Sequence, residues 1–261
     1  MEKNLFSGNE ATTGVIIKFP REPKKKELLT MNNNMIDFLY YKMKETADLG
    51  FKFFLIELTK EDFLEIDFQV PPSKKIDYIC SMVEKGHRVG FYNRTGSYLT
   101  DEKVSLKTAI REISICQQFL NFLSPHRSSQ FPIIVHIGGS HGDRKKTLVT
   151  FCENFKKHIN DPRICVINDE KPSLFSVKDL LSGTFYQVGT PIVFRSASHK
   201  TNQGNLTSSE SLLLASSTWP RAINPVMIYI PQDGDSLSDD QTKPYGIPLD
   251  IIYDNKIPEP A

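Results

Sequence analysis

The sequence repeats one pattern between Thr13 and Pro231: a short β-branched or aromatic run, a turn, and then a longer amphipathic stretch. Such regular alternation restricts the chain to an α/β fold with a parallel sheet. The short runs predict seven strands, over 14–19, 51–58, 88–93, 133–137, 164–168, 191–195 and 226–230. The stretches between them predict helices over 33–47, 73–85, 104–123, 145–159, 176–186 and 208–217.

Seven strands in 261 residues favour a TIM-like (β/α) barrel over a doubly wound sheet, because no GxGxxG turn follows the first strand. After residue 231 the pattern gives way to a polar run that contains Pro and Gly. We therefore predict an N-terminal extension over 1–12, a barrel domain over 13–231 and an acidic polar tail over 232–261. The barrel is then either incomplete or closed by the tail, whose one apolar segment is 251–253.

The overall charge is nearly balanced, with 32 Lys and Arg against 31 Asp and Glu, which excludes a polycationic nucleic-acid coat. The charge is unevenly distributed along the chain, because residues 232–261 carry a net charge of −5 and the rest of the chain carries +6. This leaves weak DNA binding by the barrel open. No apolar run approaches the roughly 18 residues of a membrane span, and the N-terminus lacks the layout of a secretory signal. We expect a cytoplasmic protein with no membrane partner.

In a TIM barrel the chemistry lies at the C-terminal ends of the strands. The polar and aromatic residues that the predicted strands place there are Glu57, Tyr92, His136, Asn168, Asp169, Arg195, His199 and Tyr229.

Three segments carry a resemblance to a known family. IIVHIGGSHGDRKK at 133–146, followed by Phe151, Asn154 and Phe155, resembles the H-[VIL]-G-G-x-[YH]-G-[DN]-K motif and the following helix of the ultraviolet damage endonucleases. RICVINDE at 163–170 is similar to that family's RLVLENDD, and GTPIVFRSASH at 189–199 to its GIPFVFDYHHH. The resemblance implies a TIM barrel that cuts DNA on the 5′ side of a damaged base with a cluster of divalent metals, commonly manganese.

Matched position by position, the resemblance retains a few family residues at the barrel mouth: His136, Asn168, Asp169, Glu170 and His199. Most of the implied metal ligands are replaced. The bridging glutamate falls at Ile167, an aspartate falls at Arg195, and two histidines fall at Ala197 and Ser198. The third-strand HPxQ motif becomes Tyr92 to Thr95, and a Lys-x-His on the seventh strand becomes 227–229.

The surviving metal-ligand candidates are His136 and His199, and we expect no full metal site. We accordingly expect no cofactor, or manganese or another divalent metal if the protein is active. Catalytic residues are not assigned.

The residues that we consider for phosphate binding are Gly138, Gly139, Arg144, Lys145, Arg94 and Arg195. Glycines before a helix let backbone N–H groups approach an anion, and the helix start adds partial positive charge. The alternative is a plain βα turn in which Asp143 caps the helix. For Arg195 the alternative is an internal ion pair with Asp169 or Glu57.

The leading hypothesis is a DNA repair family protein with lost or impaired metal-dependent cleavage, a pseudoenzyme that retains binding of DNA or phosphate. Its expected partner is damaged double-stranded DNA. One alternative is an active metal-dependent endonuclease with a rearranged site that uses His136, Asp169, His199 and Glu57. Another is a TIM-barrel protein that binds a small phosphorylated metabolite, an interpretation that only the glycine turn supports.

Overall fold

The barrel is closed and has eight parallel strands that follow one another in sequence order. The computed structural model describes residues 11–18, 31–47, 49–59, 73–101, 103–126, 130–140, 142–230 and 246–254. The strands are β1 (Thr13–Lys18), β2 (Phe53–Leu58), β3 (Arg88–Asn93), β4 (Ile133–Val135), β5 (Ile164–Ile167), β6 (Ile192–Arg195), β7 (Val226–Tyr229) and β8 (Asp250–Tyr253). The predicted TIM-like barrel is therefore confirmed.

The closing strand β8 comes from the segment that the sequence predicts to be an acidic tail. Val226 pairs with Asp250 on one side of β8, and Thr13 pairs with Ile251 on the other. The barrel thus continues beyond residue 231 to Tyr253. The strand is hard to recognise in the sequence because it is only four residues long and begins with a charged residue.

Helices follow the strands at the positions that the periodicity predicts. They are α1 (Met31–Ala47), α2 (Lys74–Glu84), α3 (Lys103–Leu123), α4 (Arg144–Asn154), α5 (Val177–Leu180), α6 (Tyr186–Val188), α7 (Ser196–Thr201) and α8 (Ser208–Ser217). A π-helical turn, Phe155–Ile159, extends α4, and a second one, Leu181–Phe185, joins α5 to α6. The sequence does not predict α7, because six residues are too few to show an apolar periodicity. No helix in the described ranges is long and apolar enough to cross a membrane.

Two apolar cores hold the barrel together, one between the strands and the helices and one inside the barrel. The interior is filled by side chains such as Phe53, Leu55, Ile134, Val193 and Ile252, all of them fully buried. Each such side chain contributes about 1.5–3 kcal/mol to the free energy of unfolding. The interior is therefore a packed core with no pore through it.

The inner side chains also determine which residues reach the barrel mouth. Side chains of a strand alternate between its two faces, so the residue two positions after an inner side chain lies on the same face. Six polar residues follow an inner apolar residue at this spacing: Lys18 after Ile16, Glu57 after Leu55, His136 after Ile134, Asp169 after Ile167, Arg195 after Val193, and Asp254 after Ile252. The C-terminal end of the barrel is consequently lined by charged and imidazole groups.

Candidate functional site at the barrel mouth

Five charged residues form a network of ion pairs at the C-terminal ends of the strands, which we call the mouth network. Lys18 Nζ lies 2.6 Å from Asp254 Oδ1 and 3.8 Å from Glu57 Oε2. Arg94 Nη1 lies 3.5 Å from Glu57 Oε1, and Arg195 Nη2 lies 3.4 Å from Asp254 Oδ2. Glu57 and Asp254 are buried, whereas the side chains of Lys18 and Arg94 are 42% and 43% exposed. Three cations thus surround two buried carboxylates.

The partners of Arg195 differ from those that we expected. Arg195 forms an internal ion pair, as the alternative interpretation expects, but its carboxylate partners are Asp254 and the exposed Glu170, whose Oε2 lies 3.7 Å from Nη1, in place of Asp169 or Glu57. For Asp169, which follows the neighbouring strand β5, the difference arises because its carboxylate is bound by His136 Nδ1 at 2.9 Å. For Glu57, the order of the strands explains the difference. Asp254 follows β8, only two strands from β6, whereas Glu57 belongs to β2, four strands away.

The side chain of Asn168 holds the backbone of Arg195. Asn168 Oδ1 accepts from the Arg195 backbone N–H at 2.7 Å, and Asn168 Nδ2 donates to the Arg195 carbonyl at 3.1 Å. Asn168 is fully buried, so these bonds form away from water. This family-matched residue therefore positions the end of β6.

His136 lies between two side chains that occupy both of its ring nitrogens. Nδ1 is 2.9 Å from Asp169 Oδ1, and Nε2 is 3.1 Å from Tyr92 Oη. A carboxylate only accepts, so a neutral His136 carries its proton on Nδ1 and accepts at Nε2 from the tyrosine. Burial raises the pKa of Tyr92 to about 12, which keeps the phenol protonated as the donor. In this arrangement neither nitrogen of His136 is left for a metal.

His199, the other metal-ligand candidate, is buried in a different environment. It lies in α7, 3% exposed, with its ring 5.5 Å from the ring of Phe194. Burial lowers the pKa of His199, so the neutral imidazole is favoured. Tyr229, which we also expected at the mouth, instead packs in the outer core between the strands and the helices.

The glycine turn after β4 packs tightly against the loop that follows β3. Gly138 is buried with φ of +104°, and a Cβ at this position would lie 2.7 Å from the ring of Tyr98. Gly139 beside it is half-buried. Asp143 caps α4, because its side chain accepts from the Lys146 backbone N–H at 3.0 Å. The turn thus has the geometry of the alternative interpretation, a capped βα turn.

Of the two phosphate candidates that follow the turn, Arg144 is bound by groups outside the turn and Lys145 is exposed. Arg144 Nη2 lies 2.5 Å from Asp179 Oδ2 and also donates to the carbonyl of Leu174. Its guanidinium stacks over Phe175, 5.6 Å from the ring centroid. Lys145 is exposed. Of the six phosphate candidates, the structure brings Arg94 and Arg195 into the mouth network.

The mouth residues do not fit the metal cluster that the resemblance implies. Ile167, at the position of the bridging glutamate, is fully buried in the inner core. Arg195, at the position of an aspartate ligand, adds a fixed positive charge that pairs with Asp254. Within the described ranges, no group of three or more His, Cys, Asp or Glu side chains is arranged to hold a metal ion.

A closed eight-stranded α/β barrel with polar residues at the C-terminal ends of its strands is the architecture of TIM-barrel enzymes. Residues 58–243 match the family model described as UV-endonuclease UvdE. The match covers well over half of the chain, so this protein belongs to the UV-endonuclease UvdE family. The resemblance read from the sequence motifs is thereby confirmed.

Individual relatives agree with this assignment. A UV DNA damage endonuclease of Bacillus pumilus (strain SAFR-032) is 27% identical over 206 residues, which cover 75% of this chain and 62% of the relative. The chain thus spans less than two thirds of that relative's length.

Two solved structures share the barrel. The crystal structure of SacUVDE aligns with a TM-score of 0.66 at 17% identity, over 94% of this chain and 92% of that one. Endonuclease IV from Thermus thermophilus aligns with a TM-score of 0.59 at 11% identity, over 95% and 94% of the two chains. At these identities the likeness concerns the fold.

Proposed function

We propose that this chain is a UV damage endonuclease relative in which metal-dependent strand cleavage is lost or impaired, and which binds damaged duplex DNA at the barrel mouth. The observation that carries the proposal is the mouth network. Side-chain cations paired with buried carboxylates occupy the end of the barrel where the family resemblance implies a metal cluster.

The fixed charge of Arg195 opposes a divalent cation. A charge of +1 and a charge of +2, about 5 Å apart at an effective dielectric constant of about 20, repel by roughly 7 kcal/mol. The carboxylate nearest to Arg195 among the buried ones, Asp254, is already shared with Lys18. Divalent metals require oxygen and imidazole donors, and a guanidinium supplies none.

The retained residues His136 and Asp169 support the same conclusion. They are bound to each other, and His136 is also bound to Tyr92. Ile167 below them offers no donor atom. These contacts occupy both ring nitrogens of His136 and one carboxylate oxygen of Asp169 within the protein.

DNA remains the expected partner, because the family acts on DNA and the mouth presents exposed cations. Arg94 is 43% exposed, and its carboxylate partner Glu57 is 3.5 Å away. Its guanidinium also lies over the ring of Tyr92, 5.6 Å from the centroid. Contacts from such a cation to phosphates release counterions, so DNA binding should weaken steeply as salt rises.

The proposal is tested with ultraviolet-irradiated supercoiled plasmid and manganese. We expect no lesion-dependent nicking, together with salt-sensitive retention of irradiated duplex DNA. Arg94→Gln should weaken this retention. Lys145→Gln serves as the matched control, because it removes the same charge from an exposed residue outside the mouth network.

Two results would contradict the proposal in different ways. Lesion-dependent nicking that disappears in His136→Ala, or more than one tightly bound manganese ion per chain, would establish the active endonuclease instead. Absence of DNA retention at low salt, with a folded protein, would remove the binding part of the proposal and leave the loss of cleavage standing.

A further inference from the structure

Asp254 is placed as an internal counter-ion between two cations from different strands. Its backbone N–H donates to the Tyr229 carbonyl at 2.9 Å, which fixes the residue directly after β8. Its two carboxylate oxygens then lie 2.6 Å from Lys18 Nζ and 3.4 Å from Arg195 Nη2. The side chain is only 2% exposed. One buried carboxylate thus connects the end of β1 to the end of β6.

This arrangement leaves the guanidinium N–H groups of Arg195 with long hydrogen bonds or with none. Its Nη1 donates to Ser198 Oγ at 3.2 Å, and the nearest oxygens of Asp254 and Glu170 are 3.4 and 3.7 Å away. Charge-assisted N–H···O bonds are usually about 2.7–2.9 Å long. The Nε atom is buried and has no acceptor in the part of the chain that the structure describes. The guanidinium therefore has donors to spare for a better acceptor.

A phosphate group has the chemistry to take the place of the carboxylate. It carries as much or more negative charge, and its several oxygens can accept from Lys18 and from more than one N–H of Arg195. Lys18 is 42% exposed, so an anion can approach from solvent. Glu57, the second carboxylate beside Lys18, is farther away at 3.8 Å.

We propose that Lys18 and Arg195 form a phosphate clamp, and that Asp254 occupies this clamp until a phosphate group displaces its carboxylate. The inference rests on the proposed function, since it concerns the same barrel mouth. It identifies Asp254 as the group that competes with a phosphate there. The clamp acts by side-chain charge and requires no metal.

Asp254 is tested by point substitution, because removal of the tail would also remove β8 and open the barrel. Asp254→Asn keeps the size of the side chain and an oxygen that accepts from Lys18, while it removes the negative charge. Glu170→Gln is the matched control, since it removes one negative charge from the other, 66% exposed carboxylate partner of Arg195.

Binding of inorganic phosphate is measured by calorimetry at low ionic strength on the full chain. We expect Asp254→Asn to bind phosphate about tenfold more tightly than the wild type, the effect of one charge-assisted hydrogen bond. Adding Arg195→Gln to this variant should abolish the gain. Equal gains in Asp254→Asn and Glu170→Gln, or no gain in either, would overturn the clamp.

A second measurement does not depend on how well Asp254→Asn folds. Phosphate should raise the melting temperature of the wild type relative to chloride at equal ionic strength, and Arg195→Gln should remove this difference. An equal rise in both proteins would also overturn the clamp.

Irradiated duplex DNA separates the two proposals. Tighter phosphate binding without DNA retention in any variant would leave the clamp standing and contradict the proposed DNA binding. DNA retention by all variants without a phosphate gain would contradict the clamp and leave the proposed function standing.

Discussion

Replacing Asp250 by alanine removes the carboxylate that holds the first residue of β8 at the N-terminal end of the barrel. Asp250 is fully buried and accepts three hydrogen bonds, from Thr12 N at 3.0 Å, Thr12 Oγ1 at 2.8 Å and Asn224 Nδ2 at 3.0 Å. It also pairs with the guanidinium of Arg88, which stacks over the ring of Phe53. The substitution leaves these donors at the N-terminal end of the barrel without their acceptor.

The expected loss follows from the burial of Arg88, whose side chain is 8% exposed. Removing one member of a buried ion pair costs about 3–5 kcal/mol, since the other charge stays buried without its counter-ion. In a domain of this size each kcal/mol lowers the melting temperature by about 2–4 °C, so a decrease of roughly 10 °C is expected.

Urea denaturation followed by far-ultraviolet circular dichroism measures the loss. The double variant Arg88→Met with Asp250→Leu is the comparison, because replacing both charges by apolar groups removes the unpaired cation. It should be clearly more stable than Asp250→Ala. A loss below about 1 kcal/mol in Asp250→Ala, or a double variant no more stable than the single one, would refute the reasoning.

Two further predictions concern buried groups near the mouth. Burial raises the pKa of Glu112, and hydrogen bonds from groups such as Thr95, at 2.6 Å, oppose this only partly. The folded state therefore holds the proton of Glu112 more tightly than the unfolded state does. The free energy of unfolding of the wild type relative to Glu112→Gln should therefore fall as pH rises above about 4, and a difference that is constant or rises with pH would contradict this. Gly138→Ala should lower the free energy of unfolding by about 2 kcal/mol or more, because φ is +104° and the new Cβ would meet Tyr98 at 2.7 Å. Gly142→Ala, with φ of +80° and open space around it, should lower the free energy of unfolding by about 1 kcal/mol in the same denaturation experiment. Equal losses in the two variants would show that the contact with Tyr98 is unimportant.

Most of the barrel is predictable because its strands are covered on both faces and are therefore apolar at consecutive positions. β5, for example, is buried at every position. β8 escapes this criterion because Asp250 opens the strand and Asp254 follows it, so its apolar centre is very short. The ion pair between the buried Arg88 and Asp250 therefore cannot be predicted from the sequence until β8 is known to close the barrel.

The mouth network is only partly predictable for the same reason. Glu57 and Arg195 lie at the ends of predicted strands and Arg94 directly follows one, which places all three near the mouth. Lys18 lies in the predicted strand over 14–19 but is not among the residues expected at the mouth, and Asp254 lies in the predicted tail. The signal that finds both is the spacing of two residues from an inner side chain, Ile16 for Lys18 and Ile252 for Asp254. For Asp254 that signal exists only once β8 is recognised.

The amide of Asn168 holds the backbone of residue 195 in a way that does not depend on which side chain that residue carries. Because Asn168 binds both the N–H and the carbonyl of Arg195, it supplies the same pair of bonds that a neighbouring strand would supply. The backbone of residue 195 is thus held by an uncharged group that makes no use of the guanidinium. An acidic, neutral or basic side chain at this position can change the electrostatic potential of the mouth while the strand that carries it stays in place.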